Sequence, residues 1–244
     1  MILMIHGMWC AASFWDNYIS LFKANGYDAE AITLLHHNRE TYPMLEYTDI
    51  MDYVKQAESV INSIGGKPIV IGHSMGGLIA QKLAEIGLAE KLVLIAPAAP
   101  QGIPVVSLST LITFSANIFS IIRKKPFIIP FRNAVYGLMN TMPHKEQVEA
   151  YQYFVYESGL SAYEIARGTI AVNENMVTCP TLVISGEHDR AIPLRLVKMV
   201  AAKYDALYKE YSGYCHHSLV FGQGCEKVAQ DILNWIEDKR TCMK

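Results

Sequence analysis

Charge is scarce in this chain. Asp, Glu, Lys and Arg make up 18% of its 244 residues, and the formal net charge is −2. A near-neutral balance argues against nucleic acid as the main partner. The five cysteines are an odd number, widely spaced, with no Cys-x-x-Cys pair, so they outline neither a disulfide framework nor a thiol redox motif. The bland reading is reduced thiols in a cytoplasmic protein, with Cys10 and Cys215 as wall residues. There is no basic segment ahead of a cleavable apolar run, so no secretory leader is expected. Glycine-rich phosphate fingerprints are missing as well, in both the G-x-G-x-x-G and the P-loop form. Histidines occur as the adjacent pairs His36-His37 and His216-His217, not at the i, i+4 spacing of a helical zinc site. No metal and no cofactor is expected.

What is abundant is apolar surface. Hydrophobic residues make up 51% of the chain, and the length suits one domain with a large core. Short continuous apolar runs alternate with helical patterns. Strands are expected near 1–5, 27–33, 68–73, 91–96, 180–185 and 206–211, and helices near 13–25, 48–64, 75–87, 194–203 and 223–238. This alternation predicts a mostly parallel sheet with helices on both faces. Between Asp49 and Ile64, the positions Ile50, Tyr53, Val54, Ala57, Val60, Ile61 and Ile64 share one helical stripe, and Gly65-Gly66 follows as a helix end would.

The densest chemical signal is Gly72-His73-Ser74-Met75-Gly76, set between the apolar run 68–71 and a helical pattern. A serine on a tight strand-to-helix turn needs small residues two positions to either side, and its hydroxyl then stands exposed at the sheet edge. The amide of Met75 lies at a helix N-terminus, where free N–H groups favour developing negative charge. Such a serine needs a base and a group that orients the base. The strand Thr181–Ile184 runs into Ser185-Gly186-Glu187-His188-Asp189-Arg190, where Asp189 is the candidate acid and Glu187 its rival. Two histidines lie downstream, His216 and His217. His6-Gly7-Met8-Trp9 follows the first apolar run, and there the amide of Met8 would supply a second oxyanion donor.

In this order, the four motifs resemble the α/β-hydrolase fold superfamily, in the style of small esterases, thioesterase-like hydrolases and hydroxynitrile-lyase-like proteins. The resemblance covers nearly the whole chain except about residues 101–176. It implies a catalytic Ser74, Asp189 and His217, with His216 standing where the family usually has glycine. It also implies oxyanion amides at Met8 and Met75, and substrate contacts at Trp9 and His73. The family's usual N-terminal antiparallel hairpin is expected to be absent. Residues 1–99 and 176–244 would form the core, and 100–175 a helical cap rich in aromatics. Within that stretch, 105–122 carries no charge over 18 residues. It is expected to be a cap helix over the pocket, with Val105, Leu108, Leu111, Ile112, Ile118, Phe119 and Ile122 largely on one side. A surface helix touching lipid or a partner is the alternative, and a membrane span the remote one. The implied activity is hydrolysis of a small to medium ester or thioester with an apolar moiety. Rival readings are a lyase or cofactor-free enzyme on the same triad, and a ligand receptor without turnover. The expected partner is a small ester-like molecule, with neither nucleic acid nor membrane; oligomeric state is left open.

Overall fold

In a computed structural model of the protein, which describes residues 1–38 and 40–238, six strands form one sheet. They are β1 (Ile2–Ile5), β2 (Ala29–Ile32), β3 (Ile69–His73), β4 (Lys91–Ile95), β5 (Thr181–Gly186) and β6 (Leu207–Tyr211). Their order is β2-β1-β3-β4-β5-β6 and every neighbouring pair is parallel. All six lie at the expected positions, although β2 and β6 carry charged residues and are not apolar runs.

The central strands are buried on both faces, which explains why they read as unbroken hydrophobic runs rather than alternating ones. Their side chains nevertheless divide with a period of two. Leu3, Ile5, Val70, Leu92, Leu94 and Val183 point into one core. Ile2, Met4, Ile69, Ile71, Val93, Ile95, Leu182 and Ile184 point into the other. Helices α1 (Asp16–Ala24), α2 (Ile50–Ile64) and α3 (Met75–Glu85) follow the first three strands. On the first face lie Tyr53, Val54, Ala57 and Ile61 of α2 with Leu78, Ile79 and Leu83 of α3. The second face is covered by Tyr18 and Phe22 of α1 and by the last helix.

Helix α2 shows how locally specified these elements are. Its N-terminus carries a capping box, in which the Asp49 side chain accepts from the Asp52 amide and the Asp52 side chain accepts from the Asp49 amide. At the other end Gly65 adopts φ 77°, the left-handed conformation that closes a helix and that glycine tolerates best.

Between β4 and β5 the chain leaves the sheet. It builds α4 (Leu108–Phe114), α5 (Ile118–Ile122), α6 (Phe131–Gly137), α7 (His144–Gln152) and α8 (Gly159–Arg167) before returning. Helices α9 (Leu194–Lys203) and α10 (Cys225–Glu237) complete the described chain. No helix among the described residues is long and apolar enough to cross a membrane. The expected single helix over 105–122 is instead broken by a 3-10 turn at Ser115–Asn117. Of its apolar stripe, Val105 packs on the core and lines the cavity beside Ser74, while the other six residues point outward. Thr113, Asn117 and Ile121 are buried, whereas Leu108, Leu111, Ile112, Ile118, Phe119 and Ile122 are exposed. The reason is local: the Thr113 hydroxyl donates to the Ser109 carbonyl, and the Asn117 amide donates to the Ile128 carbonyl. Two of the inward positions thus go to polar side chains that donate to backbone carbonyls, and the third to Ile121.

Candidate functional site

Four loops at the carboxyl ends of β1, β3, β5 and β6 converge. In a sheet of this order the chain leaves β1 toward β2 on one side and returns to β3 on the other. Loops diverge at that reversal and leave a crevice. Gly7, Met8, Trp9, Ser74, Met75 and His216 line a cavity there of about 60 Å³.

Ser74 occupies a strained backbone position, φ 55° and ψ −120°. Its carbonyl accepts from the amides of Gly77 (2.9 Å) and Ala98 (2.8 Å), and its own amide donates to the Ile95 carbonyl at 3.0 Å. These bonds hold a conformation that costs on the order of 1–3 kcal/mol in isolation. The flanking glycines are required by space. A Cβ on Gly72 would collide with the Gly76 carbonyl, and one on Gly76 with the carbonyls of Ile5 and His6. Met75 is the first residue of α3, so its amide belongs to the helix-initial set that has no intrahelical acceptor.

Asp189 is buried, and its carboxylate is used at both oxygens. Oδ1 accepts from the Ile192 amide at 2.8 Å, and Oδ2 lies 2.6 Å from Nδ1 of His216. Glu187, the rival acid, turns outward and accepts from the Ser212 hydroxyl and the Gly213 amide, bonds that lower its pKa.

The histidine expected to meet Asp189, His217, does not do so. Its amide donates to the Leu138 carbonyl at 2.9 Å, which ties it to the insertion. The ring packs edge-on against Phe14 and Phe154, 5.4 Å from each, and Nδ1 has no hydrogen-bond partner. Burial, followed by the charge of neighbouring His216, holds its pKa well below the usual 6.5. The two rings stack at 5.7 Å, and it is the one at position 216 that reaches the carboxylate. The residue before His216 is Cys215, small and fully buried. Cys10 is likewise buried, and burial followed by the charge of Glu157 raises its thiol pKa well above the ordinary value.

His73 and Trp9, expected to contact substrate, both line the cavity. His73 also approaches the His216 carbonyl through Nε2 at 3.2 Å, and its ring centre is 4.5 Å from that of His216. Trp9 has φ 62° and is almost fully buried among Phe114, Phe127 and Phe154 of the insertion. Its carbonyl accepts from the Val155 amide at 2.8 Å, so the loop carrying Met8 is bonded directly to the insertion.

A second polar cluster braces the same loop and carried no signal in the sequence beyond the pair His36-His37. Glu157, fully buried, accepts from His37 Nε2 (2.9 Å), the Tyr53 hydroxyl (3.1 Å) and the Ser158 amide (2.6 Å). The other nitrogen of His37 lies 3.0 Å from the Leu35 carbonyl. With an acceptor at each ring nitrogen, His37 satisfies both only as imidazolium. Burial alone would lower its pKa, but the charge and hydrogen bond of Glu157 and the Leu35 and Leu34 carbonyls outweigh burial and leave it raised. His6 packs edge-on against His37 at 4.9 Å. Its Nδ1 approaches the Gly7 carbonyl at 2.8 Å, and its Nε2 accepts from the Leu34 amide at 3.0 Å. Burial, then the charge of His37, lowers the pKa of His6 to about 3, which keeps it neutral as those two bonds require.

Comparison with known proteins agrees with this architecture. The chain is 27% identical over 256 aligned residues to a monoacylglycerol lipase of Mycolicibacterium smegmatis (strain ATCC 700084 / mc(2)155), covering 96% of this chain and 87% of that one. Among solved structures, polyneuridine aldehyde esterase superposes with a TM-score of 0.75 at 16% identity, over 97% of this chain and 98% of that one. A monoacylglycerol lipase of Paleococcus ferrophilus superposes with a TM-score of 0.72 at 18% identity, over 96% and 93%. The profile of the alpha/beta hydrolase family matches residues 2–231, and the chain belongs to that family.

Proposed function

We propose that the protein is a serine carboxylester hydrolase that uses Ser74, His216 and Asp189, and that its substrates carry an apolar acyl chain. The observation that carries this reading is the 2.6 Å contact between Asp189 and His216, made at the rim of the cavity lined by Ser74. A buried carboxylate at Nδ1 leaves Nε2 of His216 as the nitrogen that can accept the serine proton. Of the two adjacent histidines that the sequence offers as base, this proposal takes His216 rather than His217.

In the proposed cycle, Ser74 Oγ attacks the ester carbonyl carbon and its proton passes to His216 Nε2. Asp189 fixes the tautomer and stabilises the imidazolium. The carbonyl oxygen, now carrying the negative charge, is held by the amides of Met8 and Met75; one such donor is typically worth about 10²–10³ in rate. His216 then protonates the leaving alkoxide. A water deprotonated by the same ring attacks the acyl-enzyme, releasing the acid and regenerating Ser74.

Substrate class follows from the lining. Beyond the reacting groups, Val105, Phe114, Leu138, Ile165 and Leu196 surround the cavity, a wall that suits hydrocarbon better than a charged acyl group. The relative named a monoacylglycerol lipase supports an ester of that kind. Helices α4–α8 serve in this reading as the cap that sets acyl size, over a core supplied by residues 1–99 and 176–244. The test is turnover of p-nitrophenyl esters, acetate through palmitate, by wild type and Ser74→Ala. Serine-dependent turnover with a chain-length optimum is expected; turnover undiminished in Ser74→Ala would contradict the proposal.

A further inference from the structure

Helices α4 and α5 carry most of their apolar residues on the outside. Leu108 and Phe119 are 76% and 72% exposed, and Ile122 is 59% exposed. Val106, Leu111, Ile118 and Ile122 border a groove of about 250 Å³ whose floor includes Met8, Val105, Phe114 and Ile165. Met8, Val105, Phe114 and Ile165 also line the cavity beside Ser74. One layer of apolar side chains therefore lies between the exposed groove and the cavity of the proposed nucleophile.

The charge around this face is of one sign in sequence. From Lys91 to Lys145 there is no Asp or Glu, although the whole chain is net negative. Arg123, Lys124 and Lys125 follow directly on Ile122 and are all exposed, and exposed Arg167 borders the groove. Lys125 pairs with Glu46, and the Lys124 ammonium lies 5.1 Å from the centre of the Tyr163 ring. Exposed aliphatic and aromatic side chains flanked by Arg and Lys are the composition of an element that lies in the interface of a lipid bilayer. Apolar groups enter the acyl boundary while cations meet anionic headgroups. A protein surface would be served by the apolar patch alone; the bordering cations complement a negatively charged one.

We propose that the α4–α5 face docks on anionic lipid bilayers and presents the groove to acyl chains held there. Docking stands on the exposed face and its charge alone, whereas delivery of an acyl chain to Ser74 rests on the hydrolase reading above. This takes up the alternative of a surface segment over 105–122 that touches lipid, and it involves lying on the surface, not spanning.

The test is vesicle flotation of the Ser74→Ala protein, so that binding is measured without turnover. Vesicles are phosphatidylcholine alone, or an equal mixture of phosphatidylglycerol and phosphatidylcholine. Association with the mixed vesicles is expected, much weaker with phosphatidylcholine alone. Leu108→Ser/Phe119→Ser and Arg123→Glu/Lys124→Glu should each lower it at least about tenfold, with thermal stability unchanged because all four residues are exposed. No association with anionic vesicles, or association that either double variant leaves unchanged, would overturn the proposal. A concentration-dependent dimer dispersed by Leu108→Ser/Phe119→Ser, without vesicle binding, would assign the face to a second copy of the chain and also overturn it. Because flotation of the Ser74→Ala protein reads binding alone, a wild type that turns over no ester would count against the hydrolase reading and leave the docking result standing.

Discussion

Removing the carboxylate of Glu157 should destabilise the protein more than most single changes. Glu157 is fully buried and accepts three hydrogen bonds, from His37, Tyr53 and the Ser158 amide. In Glu157→Ala each donor is stranded away from water, and His37 loses the anion that balances its charge. Breaking a buried pair from one side typically costs about 3–5 kcal/mol. For a chain of this size each kcal/mol corresponds to roughly 2–4 °C, so the melting temperature should fall by about 6–20 °C. Glu157→Gln should cost less, because the amide oxygen can still accept from Tyr53 and Ser158 while a neutral His37 accepts from the amide nitrogen.

The pair also predicts a pH dependence of definite sign. The folded-state pKa of His37 is raised above the unfolded value of 6.5. Its contribution is therefore complete below about pH 6.5 and is lost as pH rises through the folded pKa. Urea unfolding between pH 6 and 9 should show wild type losing stability toward high pH relative to Glu157→Gln, in which the dependence flattens. The reasoning is refuted if Glu157→Ala unfolds within about 0.5 kcal/mol of wild type, or if the two pH profiles run parallel.

Other outcomes follow from the geometry. Gly76→Ala places a methyl group against the carbonyls of Ile5 and His6; backbone cannot give way as a side chain does, so a loss of about 3 kcal/mol or more is expected in urea unfolding. Val105 borders both the cavity and the groove. Val105→Trp should therefore shift the p-nitrophenyl ester optimum to shorter acyl chains, with kcat on acetate changed less than about threefold; an unmoved optimum would exclude this passage as the acyl site.

Much of the fold was legible because its determinants are local. Strands buried on both faces announce themselves as apolar runs, such as Leu92-Val93-Leu94-Ile95. Helix α2 carries its stripe, its capping box and its terminal glycine within a single segment. The serine turn was legible for a similar reason, since the need for small neighbours is written two residues to either side of Ser74. The histidine loop was not. His216 and His217 differ by one position, and which ring faces Asp189 depends on the Leu138 carbonyl holding the His217 amide from another part of the chain. Glu157 illustrates the same limit. Its partners, His37 and Tyr53, lie more than a hundred residues away, and no spacing rule links them. In the insertion, apolar periodicity left the choice open between a helix over the pocket and a surface helix, because it records which side is apolar and not what that side meets; Val105 faces the cavity, while Leu108, Leu111, Ile112, Ile118, Phe119 and Ile122 are exposed.

The central claim is that His216, held by Asp189, is the base that activates Ser74. It is tested most directly by kcat/KM on a short p-nitrophenyl ester for His216→Ala and His217→Ala, measured beside wild type with folding verified by circular dichroism. General-base assistance is worth about 10²–10⁴-fold. His216→Ala should therefore lose at least about a hundredfold, while His217→Ala, which removes a ring packed on Phe14 and Phe154, should lose less than about tenfold. The reverse order, with His217→Ala nearly inactive and His216→Ala nearly intact, would contradict the account.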